Sequence, residues 1–178
     1  INQGAKLDLG STAKLRTLIT YLEIVAELHA KLGGSAPAEI KVVAADAVDP
    51  LTAWAAGHMA VSADRSLPAM LEAAMRRSYS ASPWERFFTG GGQHQFANFN
   101  PEHNDDTLSV AEAFRHSVNL VFVRLMRDIV RYHTAVHLPS ARNLLDDPLH
   151  PARAGYLERF ADREGRAFLS QFYDELNG

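Results

Sequence analysis

Ser11 and Lys14 pair a hydroxyl with an amine one helical turn apart, in the stretch "GSTAK" at residues 10–14. At about 100° per residue they share a stripe with Leu15, Leu18, Leu22 and Val25, so both are expected to face inward at the N-terminal end of a helix. Burial and the positive end of the helix dipole both favour a neutral amine. A neutral lysine can take the proton of a serine one turn away and so make it a nucleophile. At a helix start the serine's own backbone N–H can help to bind an oxyanion. Ser-x-x-Lys in that place is therefore a mechanism for acyl transfer as well as a pattern. The same residues also have a plainer use, because serine caps helices and lysine snorkels from apolar edges.

A second pair lies in "RHSVNLVFVRLM", where Ser117-Val118-Asn119 falls at the break between two expected helices. A hydroxyl and an amide two residues apart in a turn can point into one cleft, and both residue types are also ordinary caps. Other groups are set aside. His133 and His137 have the i,i+4 spacing of a zinc pair, but Thr134 stands where a zinc protease needs Glu and no third ligand is near in sequence. His94, His103 and His116 surround the second pair and are expected as solvated loop histidines. "TGGGQ" (89–93) lacks the Lys-Ser/Thr of a phosphate loop, and no strand clearly precedes it.

The elements that must position these groups are mostly helical. Leu15, Leu18, Ile19, Leu22, Val25 and Ala26 predict a first helix over about 11–32, stopped by Gly33 and Gly34 with Pro37 marking the break. Residues 38–80 predict two or three short helices, with Pro50 and Pro68 near their starts. Residues 81–106 hold three glycines, two prolines, Trp84, Phe87, Phe88, Phe96 and Phe99, and read as an ordered loop. Its aromatic residues are expected as anchors to the core, or as the flanks of a peptide groove. Ser109-x-x-Glu112 is a capping box for a helix to about His116. A strongly apolar helix over about 120–132 follows, with Val121, Phe122, Leu125, Met126 and Ile129 in register and Arg124, Arg127 and Arg131 on a solvated face. Residues 138–151 read as a connection and 152–176 as one or two amphipathic helices. There is no internal repeat and no convincing period-2 run, so the fold is expected to be mainly α, with short β pieces at most in 87–99.

Composition narrows the function classes. The chain has 178 residues, 47% hydrophobic and 22% charged, which suits one globular domain with a real core. Its net charge of −3 and lack of any basic, aromatic-laced run give no reason to expect nucleic acid as a partner. With no cysteine there are no disulfides or thiolate metal sites, which suits either the cytosol or the periplasm. No run of 18 apolar residues is present, and a start at Ile with no leader reads as a segment of a longer protein.

Taken together and in this order, "GSTAK" (10–14), "TGGGQHQFANF" (89–99) and "LSVAEAFRHSVNLVFVRL" (108–125) resemble the transpeptidase domain of penicillin-binding proteins, the class A bifunctional peptidoglycan synthases in particular. The likeness covers residues 1–132. It implies the helical part of the penicillin-binding and serine β-lactamase-like fold, in a glycosyltransferase-bearing parent anchored in the inner membrane and facing the periplasm. It implies Ser11 as the nucleophile acylated by a D-Ala-D-Ala stem peptide or a β-lactam, and Lys14 as general base. Ser117 would relay the proton to the leaving group, and Asn119 would bind the substrate amide. No cofactor or metal is implied.

Three features depart from the family. Its third motif, Lys-Thr/Ser-Gly on an edge strand, is absent, since no Lys occurs after Asn119. The two serines are further apart than usual, which makes residues 34–80 an enlarged helical insert within a single domain of 1–178. The extension 138–178 matches nothing in the common core. Two functions stay open: a serine acyltransferase in the parent with an isolated chain that is inactive, and a non-catalytic helical module for packing or partner binding. Lacking the sheet, the isolated chain is expected to expose apolar surface and to self-associate, a homodimer being the simplest form.

Overall fold

The computed structural model describes residues 5–89, 92–137, 151 and 155, without the side chains of residues 5–11, 88, 89, 92, 93 and 137. The expectations for 138–178 lie outside these, apart from two isolated positions. Helices dominate, as the periodicity predicts. In order they are α1 (Ala5–Leu32), α2 (Pro37–Asp46), α3 (Pro50–Val61), α4 (Leu67–Arg76), α5 (Val110–Arg115) and α6 (Asn119–His137). Four short strands lie between α4 and α5: β1 (Ser78–Ser80), β2 (Arg86–Thr89), β3 (Gly92–Gln95) and β4 (Thr107–Ser109). No helix among the described residues is long and apolar enough to cross a membrane.

Local chemistry sets the helix starts. Proline opens α2 and α3 and is the second residue of α4, where its missing N–H costs no helical bond. Thus Pro37, expected only as a break, begins α2. The Asp49 carboxylate accepts from the N–H groups of Leu51 and Thr52 at 2.9 Å each. The capping box at α5 forms as predicted: the Glu112 N–H donates to Ser109 Oγ at 3.2 Å, and the Ser109 N–H donates to Glu112 Oε2 at 2.9 Å.

The hairpin of β2 and β3 supplies the short β pieces expected in 87–99, whereas β1 and β4 lie outside that range and were not expected. β1 and β4 pair antiparallel with Tyr79 opposite Leu108 and bring the two ends of the 81–106 segment together. β2 and β3 form an antiparallel hairpin with Thr89 opposite Gly92. A strand therefore does precede the glycines of "TGGGQ", but a second strand begins at the last of them, Gly92, so the segment remains unlike a phosphate loop. Two glycines between short runs were the available hairpin signal.

α1 lies against α3, α4 and α6, and its buried stripe is Leu18, Tyr21, Ile24, Val25, Leu28 and Leu32. The expected stripe was rotated too far: Leu15 and Ile19 are about half exposed, and Tyr21 is fully buried and donates to the Ala74 carbonyl at 3.2 Å. Residues 34–80 are integral to this core, supplying Ile40, Leu51, Ala55, Ala56, Met59, Met70 and Ala74. From α6 come Val121, Phe122, Leu125, Ile129 and Tyr132, whereas Met126, expected in register with them, is exposed.

The arginine face of α6 also needs correcting. Arg124 is only 5% exposed, and its guanidinium donates to Glu85 Oε2 at 3.0 Å and to the carbonyls of Ser80 and Ser82 at 2.8 Å each. Arg127 pairs with the same Glu85 carboxylate, and only Arg131 is solvated as predicted. Both guanidinium groups stand 5.5 Å from the Phe87 ring centroid, which packs edge-on against Phe96. Phe87 is thus an anchor of the 81–106 segment. Trp84 and Phe99, at 78% and 88% exposure, are not.

Candidate functional site

Lys14 and Ser117, 103 residues apart in sequence, are in direct contact. The Lys14 Nζ donates to Ser117 Oγ at 2.7 Å and to the Ser117 carbonyl at 2.6 Å. α1 carries the amine. The junction of α5 and α6 carries the hydroxyl, and Leu18, Tyr21 and Val25 on one side and Val121 and Leu125 on the other hold the two helices in one core.

The shape of that junction follows from how α5 ends. The Val118 N–H donates to the Ala113 carbonyl at 2.9 Å, and the Ser117 N–H donates to the Phe114 carbonyl at 3.3 Å. These are the two bonds of a Schellman cap, with buried Val118 as its apolar plug. Ser117 occupies the left-handed position of that cap at φ 56°, where glycine is the usual residue. A serine there carries backbone strain and, in exchange, presents an exposed hydroxyl to Lys14. Ser117→Gly is therefore expected to raise stability by about 1 kcal/mol in chemical denaturation, while removing the hydroxyl that Lys14 holds. A loss of stability would mean that the Lys14 contact outweighs the strain.

Lys14 is half-buried, and desolvation lowers its pKa from the ordinary lysine value. The sign follows directly. Between the lowered folded pKa and the unfolded value of about 10.4, the unfolded chain binds more protons, so stability attributable to Lys14 rises with pH through that window. Side-chain NMR titration is expected to place the Lys14 midpoint below that of Lys31. Lys31 is the informative contrast on the same helix: its bond to the Glu27 carboxylate at 2.7 Å, in an exposed i,i+4 pair, raises its pKa.

Ser11 stands three residues before Lys14 on α1, a spacing that puts the two backbone positions on one face. Its side chain lies outside the described part of the structure. The expectation that it starts the helix is corrected, because α1 begins at Ala5. Lys14 is then beyond the first turn, where the dipole no longer acts, and burial alone lowers its pKa. The Ser11 N–H falls within the helical ladder and is not free to bind an oxyanion.

Asn119 opens α6, and its Nδ2 donates to the Ala97 carbonyl at 3.1 Å. Beside it, Asn98 accepts from the Leu120 N–H at 3.0 Å. Sequence reading gave Asn98 no role, although it lies in the quoted "FANF". A side-chain amide beside a helix start with no polar cap of its own was the missed signal. Of the histidines, His103 Nδ1 lies 2.8 Å from Asp106 Oδ2 and its ring is 5.7 Å from that of His116, while His94 packs near Phe96. His94 and His116 are exposed, as expected, whereas His103 is half-buried against Asp106. His133 and His137 do share α6, but among the described residues no three His, Asp or Glu side chains converge to hold a metal.

Lys14, Ser117 and Asn119 are thus brought into one neighbourhood, with Ser11 on the adjoining turn of α1. No family model, no curated protein and no solved structure matches the chain.

Proposed function

We propose that the chain is the helical part of a serine acyltransferase of the penicillin-binding type, a D,D-transpeptidase in its parent protein. The observation that carries this reading is the contact of the Lys14 amine with Ser117 Oγ across 103 residues. It joins the two motifs through the atoms that a proton must traverse. Ser11 Oγ attacks the carbonyl of a D-Ala-D-Ala stem peptide or a β-lactam, and Lys14 accepts its proton. The C–N bond breaks as the proton passes through the Ser117 hydroxyl to the departing amine. The amine of a second stem peptide then attacks the ester carbonyl, the bond from the acyl carbon to Ser11 Oγ breaks, and the amine's proton returns by way of Lys14 to Ser11 Oγ, completing a cross-link. Asn119 binds the substrate amide beside the reacting carbonyl. The parent is membrane-anchored and works on the periplasmic face, and no cofactor enters the chemistry.

The oxyanion donors of such an enzyme come in part from a Lys-Thr/Ser-Gly strand, which this chain lacks. Acyl transfer depends on positioned donors, so the isolated chain is inactive. The half-exposed Leu15 and Ile19 on α1 and the exposed Met126 and Val130 on α6 are the apolar surface through which it would self-associate.

One observation favours a non-catalytic packing module instead, namely the extension of α1 back to Ala5, which commits the Ser11 N–H to the helix. Intact-mass spectrometry after incubation with a reactive penicillin separates the two readings. It is applied to this chain and to the complete parent domain, each with a Ser11→Ala control. A Ser11-dependent adduct on the complete domain alone is the expected result. Folded proteins that both remain unlabelled would overturn the acyl-transfer reading and leave the packing module.

A further inference from the structure

Helix α6 starts directly after Val118, which has no side-chain atom able to cap it. The cap comes from elsewhere in the chain. Asn98 Oδ1 accepts from the Leu120 N–H at 3.0 Å, and Asn98 Nδ2 donates to the Ala81 carbonyl at 2.8 Å and to Asn104 Oδ1 at 3.0 Å. The preceding residue continues the bracket, since the Ala97 carbonyl accepts from Asn119 Nδ2 at 3.1 Å. One carboxamide therefore uses both ends. Its oxygen is fixed on the first turn of α6, and its nitrogen is fixed on the segment that leaves β1.

This bracket stands where the backbone is strained. Ser117 is held at φ 56°, and such a conformation persists only when its surroundings determine it on both sides. The Schellman bonds of α5 fix the turn from its N-terminal side. On the C-terminal side, the bonds to residues 97 and 98 fix it. We infer that Asn98 is a positioning residue of the candidate site: by capping α6 from the neighbouring loop it holds the Ser117–Asn119 turn in the conformation that presents Ser117 Oγ to Lys14. The inference rests on the reading of Lys14, Ser117 and Asn119 as site residues. Among the described residues, Asn98 is hydrogen-bonded to Ala81, Asn104 and Leu120 and to neither Lys14 nor Ser117.

Asn98→Ala, Asn98→Asp and Asn104→Ala dissect the bracket in this chain. Asn98→Ala removes both ends. Asn98→Asp keeps the acceptor for the Leu120 N–H and loses the two donated bonds. Asn104→Ala removes one loop-side partner and leaves the cap intact. The readouts are hydrogen exchange at the Leu120 amide, the backbone chemical shifts of Ser117, which report its left-handed conformation, and, in the uncharged variants, the titration of the Lys14 amine.

In Asn98→Ala the Leu120 amide is expected to lose its protection, the Ser117 shifts to leave the left-handed range, and the Lys14 midpoint to move up towards the ordinary lysine value. Asn98→Asp is expected to restore the Leu120 protection and the Ser117 shifts, and Asn104→Ala to leave all three readouts unchanged. A folded Asn98→Ala chain with unaltered Ser117 shifts and Lys14 titration overturns the inference. If Asn98→Ala does not fold, Asn98→Asp decides alone: loss of either the Leu120 protection or the Ser117 shifts overturns it, and retention of both supports it. None of these readouts uses acylation. A failure of the penicillin test therefore leaves this result standing, and a failure here leaves that test untouched.

Discussion

Replacing Lys14 by methionine is expected to slow acylation of the complete domain by a penicillin about 10²–10⁴-fold, the usual contribution of one positioned base. Methionine keeps much of the lysine stem's apolar reach, and Lys14 is only half-buried, so the variant is expected to fold with little change in stability. The effect should fall on the chemical step, read as the limiting rate of adduct formation at saturating penicillin. The pH profile adds a second check. A lysine base accepts a proton only when neutral, and burial holds the Lys14 pKa below the ordinary value, so on the proposed reading acylation is expected to rise with pH and to level off earlier than an unperturbed lysine would allow. Lys31→Met is the control. That amine lies on the same helix but is exposed, paired with Glu27 and shifted upward, and its loss should leave acylation unchanged. An acylation rate within threefold of the unsubstituted domain in Lys14→Met would remove Lys14 from the mechanism.

The sequence reading worked where a local rule decides the outcome. Gly33-Gly34 ends α1, proline opens or nearly opens α3 and α4, and Ser109 with Glu112 starts α5. Each depends on a few adjacent residues, and tertiary contacts have little to override. It failed where partners come from far away. Arg124 looks like one of three solvated arginines by spacing, yet Glu85 and two carbonyls, 39 to 44 residues distant, draw it into the interior. The position one turn from Arg124 carried a usable clue, because Asp128 lies in register with Val121, Leu125 and Tyr132 on the buried face. A paired charge in that register points to a buried network. Leu15 and Tyr21 failed for a related reason. The apolar band on α1 is wider than the contact it makes, so periodicity fixed the helix without fixing its rotation.

The candidate site divides the same way. That Lys14 would meet Ser117 beside Asn119 was legible because these residues belong to two motifs, while the Ser11 side chain lies outside the described part of the structure. The strained turn that turns Ser117 towards Lys14 was not legible, because a left-handed serine breaks the local preference for glycine. Such conflicts between local preference and the global fold are expected where a site requires them. Asn98 was missed because its use exists only once β1, the 81–106 segment and α6 are assembled.

The largest stability effect is expected away from the site, at Asp128. Its carboxylate, 4% exposed, accepts from Arg77 Nη2 and from Tyr79 Oη at 2.9 Å each. The Arg77 guanidinium is also stacked near the Trp54 and Tyr79 rings, at 5.7 and 4.9 Å from their centroids. Burial, with Asp128 adding to it, holds the Tyr79 phenol well above its ordinary pKa, so this hydroxyl remains a donor throughout the neutral range. The network ties the end of α4 and β1 to α6, and those elements carry the bracket at Asn98. Asp128→Ala strands Arg77 as a largely buried, uncompensated cation and leaves the Tyr79 hydroxyl without its acceptor. Breaking one partner of such a pair costs about 3–5 kcal/mol, a large share of the roughly 5–15 kcal/mol that holds a typical domain together.

Urea denaturation is expected to show that loss as a lower midpoint. Asp128→Asn keeps an acceptor without the charge and should lose markedly less. Glu72→Ala, which removes an exposed i,i+4 partner of Arg76, should change stability by no more than about 0.5 kcal/mol. If Asp128→Ala cost no more than Glu72→Ala, the buried pair would contribute nothing beyond a surface contact. The rigidity of the Ser117 turn would then have to come from α5 and Asn98 without help from the core beneath them.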